Sequence, residues 1–207
     1  MHLLLAAAAF ACEQPVYTVL ALPEPDGSGH GAVTGEATVG GRTVVGGRFS
    51  YVSQEAYAGW RTVLLDAPSQ DEWLPARFGT KVSDAIDPTH MYLLIDIGLL
   101  FDSVHIQRQL VAEVRNVDAV GHFRTCWWMV DPTPWKARVP QNDVPWENSM
   151  YGAWEATPRA DGGTLVSYQF WSEPGRIPSA VQRFGLANTL PALIEAFDAR
   201  VKALGGG

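Results

Sequence analysis

Positive charge is scarce in this chain. Its 207 residues carry 15 Lys and Arg against 22 Asp and Glu, a net charge of −7, and no basic run interleaves with aromatics. That excludes a phosphate backbone as the main partner, because affinity for one rests on clustered cations. No nucleic acid is therefore expected. Cysteine is nearly absent as well. Cys12 and Cys126 stand too far apart to read as a disulfide framework, so packing must hold the domain together. The sequence has no HExxH or CxxC, and His90, His105 and His122 lack metal-ligand spacing. It has neither a glycine-rich phosphate loop nor a GxSxG motif. His122 and Cys126, four apart on a strand, both point outward, and nothing beside them suggests a base, an orienting group or a cleft. The expectation is no catalytic residue, no metal and no cofactor.

Long apolar runs are missing too. The opening MHLLLAAAAFAC is too short to span a bilayer but has the length of a secretory h-region. Ala9-Phe10-Ala11 before Cys12 is a weak version of the bacterial lipoprotein pattern, which usually has leucine where Ala9 stands. Residues 1–12 are thus read as a signal peptide or lipoprotein signal. The protein would be exported, periplasmic or membrane-anchored through Cys12, with a cytoplasmic chain and a buried N-terminal turn as the alternative. Lipidation or removal of Cys12 would leave Cys126 unpaired. Residues 13–35, containing LPEPDGSGHGAVTG, read as a flexible lead-in rich in proline and glycine.

What the chain does have is apolar surface and large rings. Hydrophobic residues make up 47% of it, enough for the core of one domain. Eight tryptophans require a large core or a cavity to line. Gly40-Gly41, between two β-rich runs, is a two-residue hairpin signal. Ser53 as N-cap, with Tyr57, Trp60 and Leu64 at helical spacing, predicts a helix over 53–65. Strands follow at about 78–86, 91–97, 104–114, 122–130, 149–157 and 164–171, and a long helix closes the chain over 178–204. Pro191 inside it predicts a kink or a restart near Asn188–Thr189. The pattern is an antiparallel α+β meander.

Side-chain alternation assigns the faces. Ile106, Arg108, Leu110 and Ala112 fall with Phe123, Trp127 and Met129. Met150, Gly152, Trp154 and Ala156 fall with Val166, Tyr168 and Phe170. These make an inner face, opposite a polar one carrying Gln107, Glu113, Arg124, Glu155 and Gln169. In the last helix Val181, Phe184, Ala187, Leu190, Ile194, Phe197, Val201 and Leu204 form an apolar stripe to cover that inner face.

The run DGGTLVSYQFWSEPGRIPSAVQRFGLANTLPALIEAF resembles the last strand and closing helix of START lipid-transfer domains, in the START-like (SRPBCC) superfamily. Ser-x-Glu-x-x-x-x-Trp before LLDAPSQDEWLP is similar to the same family's helix and following tryptophan. The resemblance covers residues 36–204. It implies a helix-grip fold, a curved antiparallel sheet wrapped around the long helix with an apolar cavity between them. The family's Pro…Arg-Asp entry to the middle strand is here GLLFDSVHIQR, a departure that bears on the mouth loop.

The expected site lies on the inner face. An unpaired cation there is strongly unfavourable, and by parity Asp84, with Val82 and Ile86, would share the face with Arg108. The resemblance implies that such an arginine–carboxylate pair meets a ligand's polar head. Ile106, Leu110, Trp127, Met129, Gly152, Trp154, Tyr168, Phe170 and Phe184 would complete the lining. Gly152 and Ala156 would leave room beside Trp154, and the loop DPTPWKARVPQNDVPWENS would be a lid. The implied function is non-enzymatic binding or transfer of a lipid or other hydrophobic small molecule by a monomer with transient membrane contact. A polyketide cyclase/aromatase-type enzyme and an interaction domain with a vestigial cavity are the alternatives.

Overall fold

The computed structural model describes residues 12, 20–27, 29–75, 80–99, 104–147, 149–173, 175 and 177–205. The signal-like stretch 1–11, residues 13–19 and the mouth segment 100–103 lie outside them. The elements are β1 (His30–Val39), β2 (Arg42–Ser53), α1 (Tyr57–Leu65), a 3-10 turn (Ala67–Ser69), α2 (Gln70–Trp73), β3 (Thr80–Asp87), β4 (His90–Leu99), β5 (Val104–Ala119), β6 (His122–Met129), a second 3-10 turn (Thr133–Arg138), β7 (Met150–Pro158), β8 (Thr164–Ser172) and α3 (Ser179–Gly205).

All eight strands form one antiparallel sheet in the order β1-β2-β8-β7-β6-β5-β4-β3. Gly40 and Gly41 both have positive φ, the conformation the β1–β2 turn needs and glycine gives without steric cost. β1 begins at His30, inside the stretch expected to be a loose lead-in. Glycine serves close approach there. A Cβ on Gly31 would lie 2.5 Å from Ser50 Oγ and 2.7 Å from the Glu24 carbonyl oxygen. α1 starts at Tyr57 rather than Ser53. Ser53 ends β2, and its hydroxyl donates to Asp198 on α3 instead of capping a helix.

The closing helix runs unbroken from Ser179 to Gly205 with Pro191 inside it, so no restart occurs near Asn188. Its apolar residues are fully buried only between Leu190 and Val201, through Leu190, Ile194, Phe197 and Val201. These pack with Phe49, Trp154, Val166 and Tyr168 of the sheet and Trp60 and Val63 of α1. Each such side chain contributes about 1.5–3 kcal/mol when fully buried. Asp198 is the polar fastener. It is 3% exposed, accepts from the Ser53 and Tyr51 hydroxyls and pairs with Lys202 at 2.9 Å.

Both faces of the sheet are covered, and this changes how its alternation must be read. On the convex face Tyr92 and Val111 are buried beneath Val139, with Trp135 and Trp146 packed beside them. The 131–147 loop therefore clasps the back of the sheet and is not a lid over the front. Further along the same face, Arg48 bonds Glu155 at 2.7 Å, and Arg124 lies 3.4 Å from the same carboxylate. Arg48 and Ser50 donate to the carbonyls of Leu20 and Pro23, tying the N-terminal segment across β2. A disulfide joins Cys12 to Cys126 below it, a crosslink that sequence spacing did not suggest.

Candidate functional site

The concave face divides into a packed end and an open end. At the packed end Trp154 is stacked between Tyr168 and Phe197, with ring centroids 4.2 and 4.4 Å apart. Trp73 meets Phe197 edge-on at 5.0 Å. These contacts leave no room beside Trp154, which corrects the expectation drawn from Gly152 and Ala156. A Cβ on Gly152 would meet Trp127 Cε2 at 2.5 Å and Cζ2 at 2.6 Å, so the glycine is a slot for that indole. Ala156 is fully buried in the same cluster.

At the open end Met91, Leu110, Ala112 and Met150 form a buried floor. Leu93, Ile95, Val114, Trp127, Met129 and Phe170 surround it, all only half-buried. The strand register builds this row: Leu93 faces Leu110, Ile95 faces Arg108, and Ala112 faces Met129. Trp127 and Phe170 sit 6.2 Å apart, tilted 52°. A cavity of about 80 Å³ opens where Leu64–Pro68 come over Met91, Val114, Asn116 and Thr125. It would hold a few waters or one small group.

Arg108 lies on this face, as parity required, but its carboxylate is Glu147. Arg108 Nε is 3.9 Å from Glu147 Oε2, and its Nη1 donates to the Gln107 carbonyl at 2.7 Å. Glu147 arrives because 145–147 pairs with β5 beyond the end of β6. Gln109 N donates to the Pro145 carbonyl and Glu147 N to the Gln109 carbonyl. No sequence signal marks that pairing. Asp84 is exposed and sits opposite Tyr92, on the convex face. The expected Arg108–Asp84 pair does not form. Val82 and Ile86, which led to that assignment, are apolar because the back loop covers them.

Phe184 is 73% exposed and stands outside the hydrophobic clusters of the described residues. Val181 and Leu204 are exposed too, so the helix stripe is buried only in its middle. Ile106 belongs to β5 by its backbone, and its side chain lies outside the described residues. Cys126 is held in the disulfide and offers no thiol nucleophile.

Tyr168 is 5% exposed, and burial pushes its phenol above the ordinary value. Several polar atoms of the concave cluster stay without partners among the described residues: Tyr57 Oη, Trp60 Nε1 and Trp73 Nε1 are buried and unbonded. Groups of this kind each cost about 1–3 kcal/mol unless something meets them. An apolar floor and one half-exposed guanidinium can hold an apolar body and orient one polar end. Among the described residues of the arrangement, no base is joined to a nucleophile.

No family model matches the chain, and no curated protein matches it. Solved structures do. A STAR-related lipid transfer protein (fragment 25–204) from Xanthomonas axonopodis is 20% identical, covering 86% of this chain and 96% of that one, with a TM-score of 0.63. Human STARD10 is 10% identical over 95% of this chain and 77% of its own, with a TM-score of 0.65. The di-domain ARO/CYC StfQ from the steffimycin biosynthetic pathway is 16% identical over 79% of this chain and 52% of its own, at 0.50. With the curved eight-stranded sheet and the helix Ser179–Gly205 laid against it, these likenesses establish that the chain has the START-like, helix-grip fold.

Proposed function

We propose that the protein binds a lipid or other hydrophobic small molecule on the open end of the concave face, without catalysis. The observation that carries this reading is the half-buried row Leu93, Ile95, Trp127, Met129 and Phe170 ending beside the Arg108 guanidinium. A packed core would bury such a row, and a solvated face would not be apolar. The ligand's apolar body lies on the row and its polar end meets Arg108. Solved structures of the same fold named as lipid transfer proteins support the kind of ligand. The protein works as a monomer and touches a membrane only while loading or unloading.

The test is native mass spectrometry of detergent-free protein, followed by displacement of a fluorescent fatty acid. Arg108→Leu should weaken an acid- or hydroxyl-headed probe by about 1.5–3 kcal/mol, the usual worth of a hydrogen bond to a charged group. It should leave a headless hydrocarbon probe unaffected. Tyr168→Phe asks whether the phenol meets the same ligand. If the native protein carries no apolar ligand and takes up no probe, the proposal fails. Polyketide cyclase/aromatase-type chemistry is the second reading, favoured by the Tyr168 phenol, which lies at the packed end with its ring 6.3 Å from that of Phe170 in the open row. Turnover of a bound chain, lost in Tyr168→Phe, would mark it.

A further inference from the structure

We infer that the Cys12–Cys126 disulfide is a permanent crosslink of the finished protein, formed in an oxidising compartment, and that it replaces lipid attachment at Cys12. The inference is independent of the ligand reading, because the crosslink lies on the opposite face of the sheet. Cys126 projects from β6 onto the convex face, where its neighbours in register are Arg115 of β5 and Ala153 of β7. Cys12 meets it there with a Cα–Cα separation of 5.6 Å, within the range a disulfide spans without moving the backbone.

The surroundings are those of a structural bond. Both cysteines are 0% exposed, packed with Val44, Trp128, Ala153 and Trp171. The Tyr151 hydroxyl donates to the Cys12 carbonyl at 3.1 Å, holding the backbone beside the bond. Tyr151 also receives Arg124 Nη2 at 3.3 Å, which connects the crosslink to the Arg48–Glu155 ion pair. A lipidated Cys12 has its sulfur bonded to a glyceryl carbon, with acyl chains that must leave the protein. The sulfur here is bonded to Cys126, and both cysteines are fully buried. One sulfur cannot do both, so the two fates exclude each other.

Formation of the bond follows ordinary thiol–disulfide exchange. The first cysteine thiolate attacks a disulfide of a dithiol oxidoreductase, or oxidised glutathione, and expels one thiolate from it. The second cysteine thiolate then attacks the protein-side sulfur of that mixed disulfide and expels the other thiolate. Two protons and two electrons leave the protein, and the oxidant becomes two thiols. Secretory compartments hold such oxidants, and the cytosol keeps thiols reduced. The bond closes a loop across a sequence separation of 114, so in the chain-entropy view it restricts most of the unfolded chain.

The experiment uses the full chain, secreted into the bacterial periplasm and purified from both soluble and membrane fractions. Intact mass after denaturation and alkylation should show no added alkyl group without reductant and two with it, and no acyl mass at all. Two alkylations without reductant, or a diacylglyceryl adduct on the Cys12 peptide, would overturn the inference. Thermal melts separate crosslinking from packing. Dithiothreitol should lower the wild-type midpoint on the order of 10 °C. Cys12→Ser and Cys126→Ser should each show the same fall, the double variant no more, and none should respond further to reductant. A wild-type midpoint indifferent to dithiothreitol, or single-variant losses that add, would equally refute it.

Discussion

The slot at Gly152 makes the sharpest test of how this concave face is built. Gly152→Ala adds one methyl group, and that atom would stand 2.5–2.6 Å from three atoms of the Trp127 indole. Carbon atoms in contact prefer about 3.5–4.0 Å, so the ring must move by roughly an ångström. Backbone from β6 and β7 fixes both partners, which are opposite one another in register. The indole is half-buried, so it can yield only by swinging toward the open groove. Overpacking of this kind costs about 1–3 kcal/mol. At about 2–4 °C per kcal/mol for a chain of this size, the midpoint should fall by about 2–12 °C. Trp127→Ala removes the obstacle and costs about 2–3 kcal/mol by itself, below the range for a fully buried ring. In that background Gly152→Ala should be nearly neutral, a coupling of at least about 1 kcal/mol. The assay is a double-mutant cycle by urea denaturation, with Trp fluorescence reporting the displaced ring. Uptake of an apolar probe should drop in Gly152→Ala, because the displaced indole occupies the groove. A zero coupling, or a Gly152→Ala protein as stable as wild type, would refute the slot and restore the free space that sequence suggested.

The remaining predictions concern charge. Asp198→Ala should destabilise by about 2–4 kcal/mol in a thermal melt, because it leaves the Ser53 hydroxyl buried without its acceptor. Lys202→Ala should cost less than Asp198→Ala in the same melt, because the buried carboxylate it leaves keeps the Ser53 and Tyr51 hydroxyls as donors. Asp87 is held at about 2, below its ordinary 3.8, first by the Thr89 backbone N–H and then by His90. A depressed carboxylate stabilises the fold above its unfolded value and loses that contribution as pH falls through the folded one. Asp87→Asn should therefore flatten the acid limb of stability between about pH 4 and pH 2, measured by denaturation at each pH.

Local pattern was enough for much of the fold. The Gly40-Gly41 turn needs positive φ at both positions, and only glycine gives this cheaply. Alternation placed Trp154, Tyr168 and Phe170 on the concave face and Arg124 and Glu155 on the other. These strands kept that parity although β5 runs on to Ala119, beyond the expected 104–114, and the turn falls at Val120-Gly121. The closing helix, 178–204 by its pattern and Ser179–Gly205 in the structure, was legible because an apolar stripe and a Pro entry are both local. Tertiary structure decided the rest, since alternation reports that a residue is buried and not what buries it. Val82 and Ile86 are apolar because a loop from 131–147 folds behind the sheet, and this put Asp84 on the wrong side of the sequence argument. Arg108 found Glu147 through a pairing beyond the end of β6. Gly152 is small because a neighbouring strand's tryptophan needs the volume, whereas in sequence a small residue reads equally as space for a ligand. Phe184 fits the helix stripe but is exposed, because the helix residues that are buried run only from Leu190 to Val201. Cys12 and Cys126 are brought together by the route of the chain across the convex face, which no spacing rule encodes.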